Sequence, residues 1–292
     1  MGGLRRGAEG GRPRALTNPQ QEEDIMTALD EVLRDLAVEG DVLDRLVAGL
    51  SPEQWKAPTP APGWTIADQI AHLTFIFALA KTAASDAEAF QALVAGAKDD
   101  FDGAVNAALK LYENDTPEVL LGKWRAEREA VVEALAAVPE GQTVPWLVNP
   151  LPPVILACAG IMEQFAHGQD IADALGVRLE RTDRIKHLVL FAVLTRDFGY
   201  LSRGLTPPAT EFRFEITAPS GEVLAFGPED SPQRVTGPAE DFCLLVTRRR
   251  HRDDLAVAAS GEEAEHWLSI AQAYRGPAGA GRTPGQFAPV PA

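Results

Sequence analysis

The stretch IADQIAHLTFIFALAKTAA, residues 66–84, has helical spacing and carries apolar side chains around nearly its whole circumference. Such a helix has no solvent face, so other elements must enclose it. Thr65, with Asp68 three residues later, has the form of a capping box at its start. Further helical patterns supply the enclosure. From Met26, the residues Leu29, Leu33, Leu36, Leu43, Leu46, Val47 and Leu50 recur at helical spacing, with Gly40 as a weak point. Ser51 and Pro52 cap the next turn, ahead of the Pro-rich segment APTPAPGW. A weaker segment covers 99–112. Thr116-Pro117-Glu118 opens a helix running to about Val138, Pro152-Pro153 opens one that Gly176 closes, and Thr182 opens DRIKHLVLFAVLTRDFGYLS. Residues 26–204 therefore read as a mainly α, up-and-down four-helix bundle.

The pattern then changes period. FRFEITA and EVLAFG alternate about the turn PSG, which predicts a β-hairpin, and QRVTG adds a candidate strand. PAEDFCLLVTRRR reads as a helix, DDLAVAAS as a strand and GEEAEHWLSIAQAYRG as a terminal amphipathic helix. Residues 205–277 form a smaller α/β (α+β) domain on this reading, joined through a linker at about 204–210. Residues 1–25, rich in Gly, Arg and Pro, read as a disordered tail, with Met26 a candidate start, and 278–292 as a loose low-complexity tail.

Composition narrows the function classes. With 292 residues, 46% of them hydrophobic, the chain is long enough for two domains. A formal net charge of −15 argues against nucleic acid as a partner. The two cysteines, Cys158 and Cys243, sit in apolar surroundings far apart and offer neither a disulfide framework nor a CxxC motif, which fits a reducing cytoplasm. No apolar run is long enough for a membrane span, and the N-terminal charges are not followed by an apolar signal core, so a cytoplasmic protein without a membrane partner is expected.

Chemistry concentrates in IMEQFAHGQDIADALG, residues 161–176. Glu163, His167 and Asp170 are spaced i, i+4, i+7 and share one face of a helix whose neighbouring positions are Gly160, Ala159, Leu156 and Ala174. A carboxylate on an apolar face needs a charge, a donor or a metal to compensate it. An E-x-x-x-H pair is common on surface helices, where it is an ion pair or a satisfied histidine. Here His72 lies on another buried helix and also faces inward, beside Asp68, Ile76 and Leu79. Two imidazoles and one carboxylate, with one position open, make the ligand set of a catalytic zinc site. Asp170 fits either as an acceptor orienting a ligand imidazole or as a surface carboxylate. His187, His251 and His266 have no carboxylate or cysteine at ligand spacing and read as surface or packing residues. Trp55 and Trp64 anchor the Pro-rich turn, Trp64 with the further option of walling the pocket mouth. Cys158 reads as a small buried hydrophobe.

The combination of LSPEQWKAPTPAPGWTIADQIAHL, containing W-x-x-P-T-P-x-x-G-W with a histidine eight residues later, and the distant MEQFAHGQDIADALG resembles the metal-binding domain of the mycothiol-dependent maleylpyruvate isomerase family, within the DinB-like bundle superfamily. The resemblance covers about residues 26–200. It implies a divalent metal, normally zinc, held by His72, Glu163 and His167, and mycothiol as the co-substrate thiol. The part from about 205 is similar to the sterol-carrier-like α/β domain of these isomerases, which closes a basic residue over the metal from a Leu-Thr-Gly-Arg-like stretch. VTRRR places Arg249 in the arginine position, with Arg248 where glycine is common; read without the resemblance, the arginine run is a solvated helix end. This C-terminal sequence type is also similar to segments labelled with wyosine base formation, a tRNA modification, against which the net charge argues.

The expectation is a two-domain enzyme that activates a low-molecular-weight thiol for isomerisation or S-transfer on a small electrophile. Asp170 and Arg249 assist, Arg249 as an anion clamp, and the chain acts as a monomer or homodimer. Two alternatives stay open. One is a hydrolase of the same bundle with Asp68 as general base; the other is a non-catalytic protein with a structural metal or none, whose C-terminal domain carries an apolar ligand.

Overall fold

The computed structural model describes residues 29–95 and 101–287, without the side chains of 101 and 102. The tail expected over 1–25, the helix start at Met26 and residues 288–292 lie outside them. Four long helices form the first part: α1 (Leu29–Val47), α3 (Ile66–Ser85), α6 (Pro117–Ala136) and α7 (Pro153–Leu175). Short helices α2 (Pro52–Trp55), α4 (Ala87–Val94) and α5 (Phe101–Lys110) fill the connections. Helix α3 packs chiefly on α6 and α1 on α7, while α3 also touches α7 and α1 touches α6. No helix among the described residues is long and apolar enough to cross a membrane.

The predicted caps form. Thr65 and Asp68 exchange side-chain and backbone bonds at the start of α3, and Ser51 does the same with Gln54 at α2. Each cap is worth about 1 kcal/mol. Gly176 ends α7 at φ +66, the left-handed conformation that suits glycine. Helix α7 is buried from Pro153 to Ala172 except at Gly160 and Glu163. Gly160 lets α1 approach closely, since a Cβ there would stand 3.0 Å from Leu36 Cδ1.

The helix expected from Thr182 is divided. Thr182 makes no capping bond, and the chain runs through a 3-10 turn (Asp183–Ile185), α8 (Lys186–Leu194) and α9 (Phe198–Leu201). The break serves Arg196, which is 3% exposed and donates to the carbonyls of Thr210 and Pro208, tying the linker onto the bundle.

The second part holds a four-stranded sheet, β1 (Phe212–Thr217), β2 (Val223–Phe226), β3 (Gln233–Pro238) and β4 (Ala258–Ser260), in the order β2-β1-β3-β4. The predicted hairpin is β1 with β2, antiparallel with Phe214 opposite Phe226; β3 is parallel to β1. Helices α10 (Ala239–Val246) and α11 (Glu262–Ile270) complete it. The strand expected over DDLAVAAS shortens to three residues because Arg252–Asp254 form a 3-10 turn, in which His251 accepts from the Asp253 N–H. The terminal helix stops at Ile270, and the Ala273 N–H bonds to the Val246 carbonyl instead of continuing it. Phe212, Phe214, Phe242 and Trp267 interlock and belong to one apolar cluster with Phe77 and Phe165 of the bundle, so the two parts share a core. A second cluster around Trp124, Ile66, Ile70 and Trp55 fills the bundle elsewhere.

Candidate metal centre

Helices α3 and α7 bring His72, Glu163 and His167 together. The Nε2 atoms of His72 and His167 lie 3.5 and 3.2 Å from Glu163 Oε2, and the two rings are 4.4 Å apart between centroids. One ligand atom from each of the three lies within 4.8 Å of the others. The side chains are 13%, 21% and 11% exposed in that order, so the group is sheltered yet reachable. Among the described residues, Glu163 pairs with these two imidazoles and with no lysine or arginine.

Electrostatics follow from that enclosure. Burial raises the Glu163 pKa, but hydrogen bonds and charge from His167 and His72 outweigh it and hold the carboxyl well below its usual range. Burial first, and then the neighbouring His72, depress His167 to about 4 against the opposing pull of Glu163. His167 is therefore neutral at pH 7, the form in which an imidazole binds a metal.

Two residues that the sequence reading did not place in the site support it. Gln69, fully buried on α3, sets its Oε1 2.5 Å from His167 Nδ1 and donates from Nε2 to Thr59 Oγ1 at 2.8 Å. The Thr59 hydroxyl and backbone N–H donate to the Trp64 carbonyl at 2.9 and 2.8 Å. The signal available was an uncharged amide inside an otherwise apolar helix, three residues before His72. Trp64 takes up the wall position: its indole stacks on His167 at 17° and 5.8 Å and leans on His72 at 5.3 Å. Trp55 lies in the core, 3% exposed.

Asp170 and Arg249 meet each other rather than the imidazoles. Asp170 is wholly buried, and Arg249 Nη2 and Arg282 Nη2 reach its two oxygens at 2.8 and 2.6 Å. The role expected for Asp170, orienting His167, is filled by Gln69. Arg249 also donates to the carbonyls of Ala166 and Thr247, and Arg250 pairs with Asp173, so the arginine run docks the second part onto α7 instead of facing solvent. Arg248 has φ +59, consistent with its place where glycine is common. The segment expected to be loose from 278 makes contacts as far as Phe287: Arg282 reaches Asp170, the Gly285 N–H reaches Asp254, and Arg250 lies over the Phe287 ring.

The remaining histidines divide. His187 is buried and bonds Asp35 at 2.9 Å, with Glu31 close by, contrary to the expectation of no carboxylate partner. Glu31, however, already carries the Lys186 ammonium, and Glu39 pairs with Arg184, so an acidic row on α1 zips onto residues 184–187 without needing a metal. His266 sits edge-on to Tyr200. Asp68 is engaged in the Thr65 capping box, bonding both its N–H and its hydroxyl. Both cysteines are buried, and burial pushes the Cys158 thiol up to about 12 and Cys243 higher still.

Residues 36–172 match the family described as mycothiol maleylpyruvate isomerase N-terminal domain. Two curated proteins of Mycobacterium tuberculosis, from strains CDC 1551 / Oshkosh and ATCC 25618 / H37Rv, both described as uncharacterized, are each 46% identical to this chain. Each match runs over 248 residues, covering 85% of this chain and 96% of theirs. The chain belongs to the mycothiol maleylpyruvate isomerase family. Crystal structures of the mycothiol-dependent maleylpyruvate isomerase and of a histidine-to-alanine mutant of it superpose with a TM-score of 0.53. They are 13% identical and cover 80% of this chain and 92% of theirs, a likeness of fold. Residues 208–260 match a second model, described as wyosine base formation.

Proposed function

We propose that the protein is a cytoplasmic, metal- and thiol-dependent enzyme that uses a mycothiol-like thiol for isomerisation or S-transfer on a small electrophile. The observation that carries this is the convergence of His72, Glu163 and His167 within 4.8 Å, with a carboxylate that has no other cationic partner among the described residues. Two imidazoles and a carboxylate suit a divalent ion such as zinc and leave a position for a sulfur ligand. When bound, such an ion holds a coordinating thiol as its thiolate at neutral pH.

The chain's own residues define the rest. Neither cysteine can serve as nucleophile, because both are buried with raised pKa values, so the reacting thiol comes from outside. Trp64 walls one side of the three ligands, stacked on the His167 ring and tilted against that of His72. Asp170 holds Arg249 in a fixed pose, and the two of its five guanidinium N–H groups that have no partner among the described residues would receive an anionic substrate. Isomerisation then proceeds by reversible addition of a thiolate to a conjugated double bond, rotation and elimination; displacement of a leaving group gives S-transfer instead. The hydrolytic alternative loses its general base, since Asp68 is engaged in capping.

Metal content and thiol binding test the reading. Purified protein should carry about one divalent ion per chain, with His167→Ala largely depleted. The cobalt-substituted protein should gain an intense thiolate-to-metal absorption band when mycothiol is added. Equal metal in both proteins, or a cobalt spectrum indifferent to thiol, refutes it.

A further inference from the structure

The network behind His167 fixes more than its position. The Trp64 carbonyl receives the Thr59 hydroxyl proton at 2.9 Å, so the Thr59 oxygen can only accept from the side chain beyond it. That side chain is Gln69, whose NH2 donates to Thr59 at 2.8 Å. With its NH2 turned toward Thr59, the amide presents only its oxygen to His167 Nδ1, 2.5 Å away. An acceptor at that distance requires a proton on Nδ1, so Nε2 is the ring nitrogen left to bind an ion. Nε2 is the atom that faces Glu163, 3.2 Å away.

We infer that Gln69, held by Thr59 and the Trp64 carbonyl, is a positioning residue that locks His167 in the Nδ1–H tautomer and so presents Nε2 as a ready metal donor. This rests on the metal reading above. Burial makes the lock effective: Gln69 is 0% exposed, so water does not compete for the amide or for Nδ1. The opposite arrangement, with the amide NH2 turned to Nδ1, places the ring proton on Nε2 where it blocks the ion. Because the Trp64 carbonyl and the Trp64 indole belong to one residue of the Pro-rich turn, the segment that walls the site also sets its donor.

Two readouts on the full-length protein decide the matter. The first is a long-range proton–nitrogen NMR spectrum of the zinc-free protein, which reports which nitrogen of His167 bears the proton. The second is zinc affinity by chelator competition. Wild type should show Nδ1–H. Gln69→Leu should move the proton toward Nε2 and weaken zinc by about ten- to a hundredfold, the usual loss when a partner orienting a ligand imidazole is removed. Gln69→Glu, which keeps an acceptor facing Nδ1, should restore both. If Gln69→Leu does not fold, Thr59→Val reports instead, since the released amide is free to turn and mixed tautomers with weaker zinc binding are expected. A wild-type ring protonated at Nε2, or variants with unchanged tautomer or unchanged zinc affinity, overturns the inference. If wild type takes up no zinc at all, the metal reading fails, while the tautomer measurement still stands for or against the lock.

Discussion

Asp170 offers the sharpest separation between what its sequence position suggests and what its surroundings demand. Its carboxylate is 0% exposed and answers two arginines, Arg249 and Arg282, whose side chains are 13% and 10% exposed. Asp170→Asn keeps the shape but removes the charge. The new NH2 then faces one of two largely buried guanidinium groups that had the carboxylate as their charged partner. Breaking a buried ion pair by removing one partner costs about 3–5 kcal/mol, because the other charge is left uncompensated. For a chain of this size that corresponds to a fall in melting temperature of about 6–20 °C. Calorimetry or denaturant titration of wild type and Asp170→Asn measures it. A triple variant, Asp170→Leu with Arg249→Met and Arg282→Met, should recover most of the loss, since no buried charge remains. Zinc affinity supplies the second half of the test. Gln69, not Asp170, contacts the His167 ring, so Asp170→Asn should weaken zinc far less than the tenfold or more expected on losing an orienting partner. A loss of stability below about 1 kcal/mol, the level of an exposed ion pair, would refute the reasoning about burial, and a large loss of zinc would return Asp170 to the orienting role.

Acid should destabilise the metal-free protein in a defined window. His167 is depressed from 6.5 to about 4, so between those values the unfolded chain takes up a proton that the folded chain refuses, and stability falls as pH drops through that range. Glu163, also depressed, adds a loss in the same direction below its ordinary value of 4.5. Melting temperature against pH should therefore decline from about 6.5 downward, and more shallowly in His167→Ala; a flat wild-type profile contradicts this. Arg248→Gly should raise stability by about 1 kcal/mol, because a side chain at φ +59 strains a backbone that glycine adopts freely. Lower stability in that variant would mean that the contact from Arg248 to Gly279 outweighs the strain.

Much of the fold was legible because its signals are local. A helix apolar on every side, as over 66–84, has to be buried, and capping at Thr65 and Ser51 depends only on residues three positions apart. The switch to period two at Phe212 announces a sheet wherever it packs. The shared face of Glu163 and His167 was likewise readable from their spacing, whereas His72 was joined to it by the family resemblance. What local pattern could not supply was the partner of each inward group. His187 has its carboxylate 152 positions away in Asp35, Asp170 meets Arg282 at a separation of 112, and His167 takes its orienting acceptor from Gln69 at a separation of 98. The break in the helix after Leu194 has the same origin, in linker carbonyls that only the assembled chain brings to Arg196. The sequence by itself determined which groups are too polar to be buried alone; only the tertiary structure decided which long-range neighbour compensates each, because hydrogen bonds and ion pairs act over a few ångströms and folding sets which atoms lie within that reach.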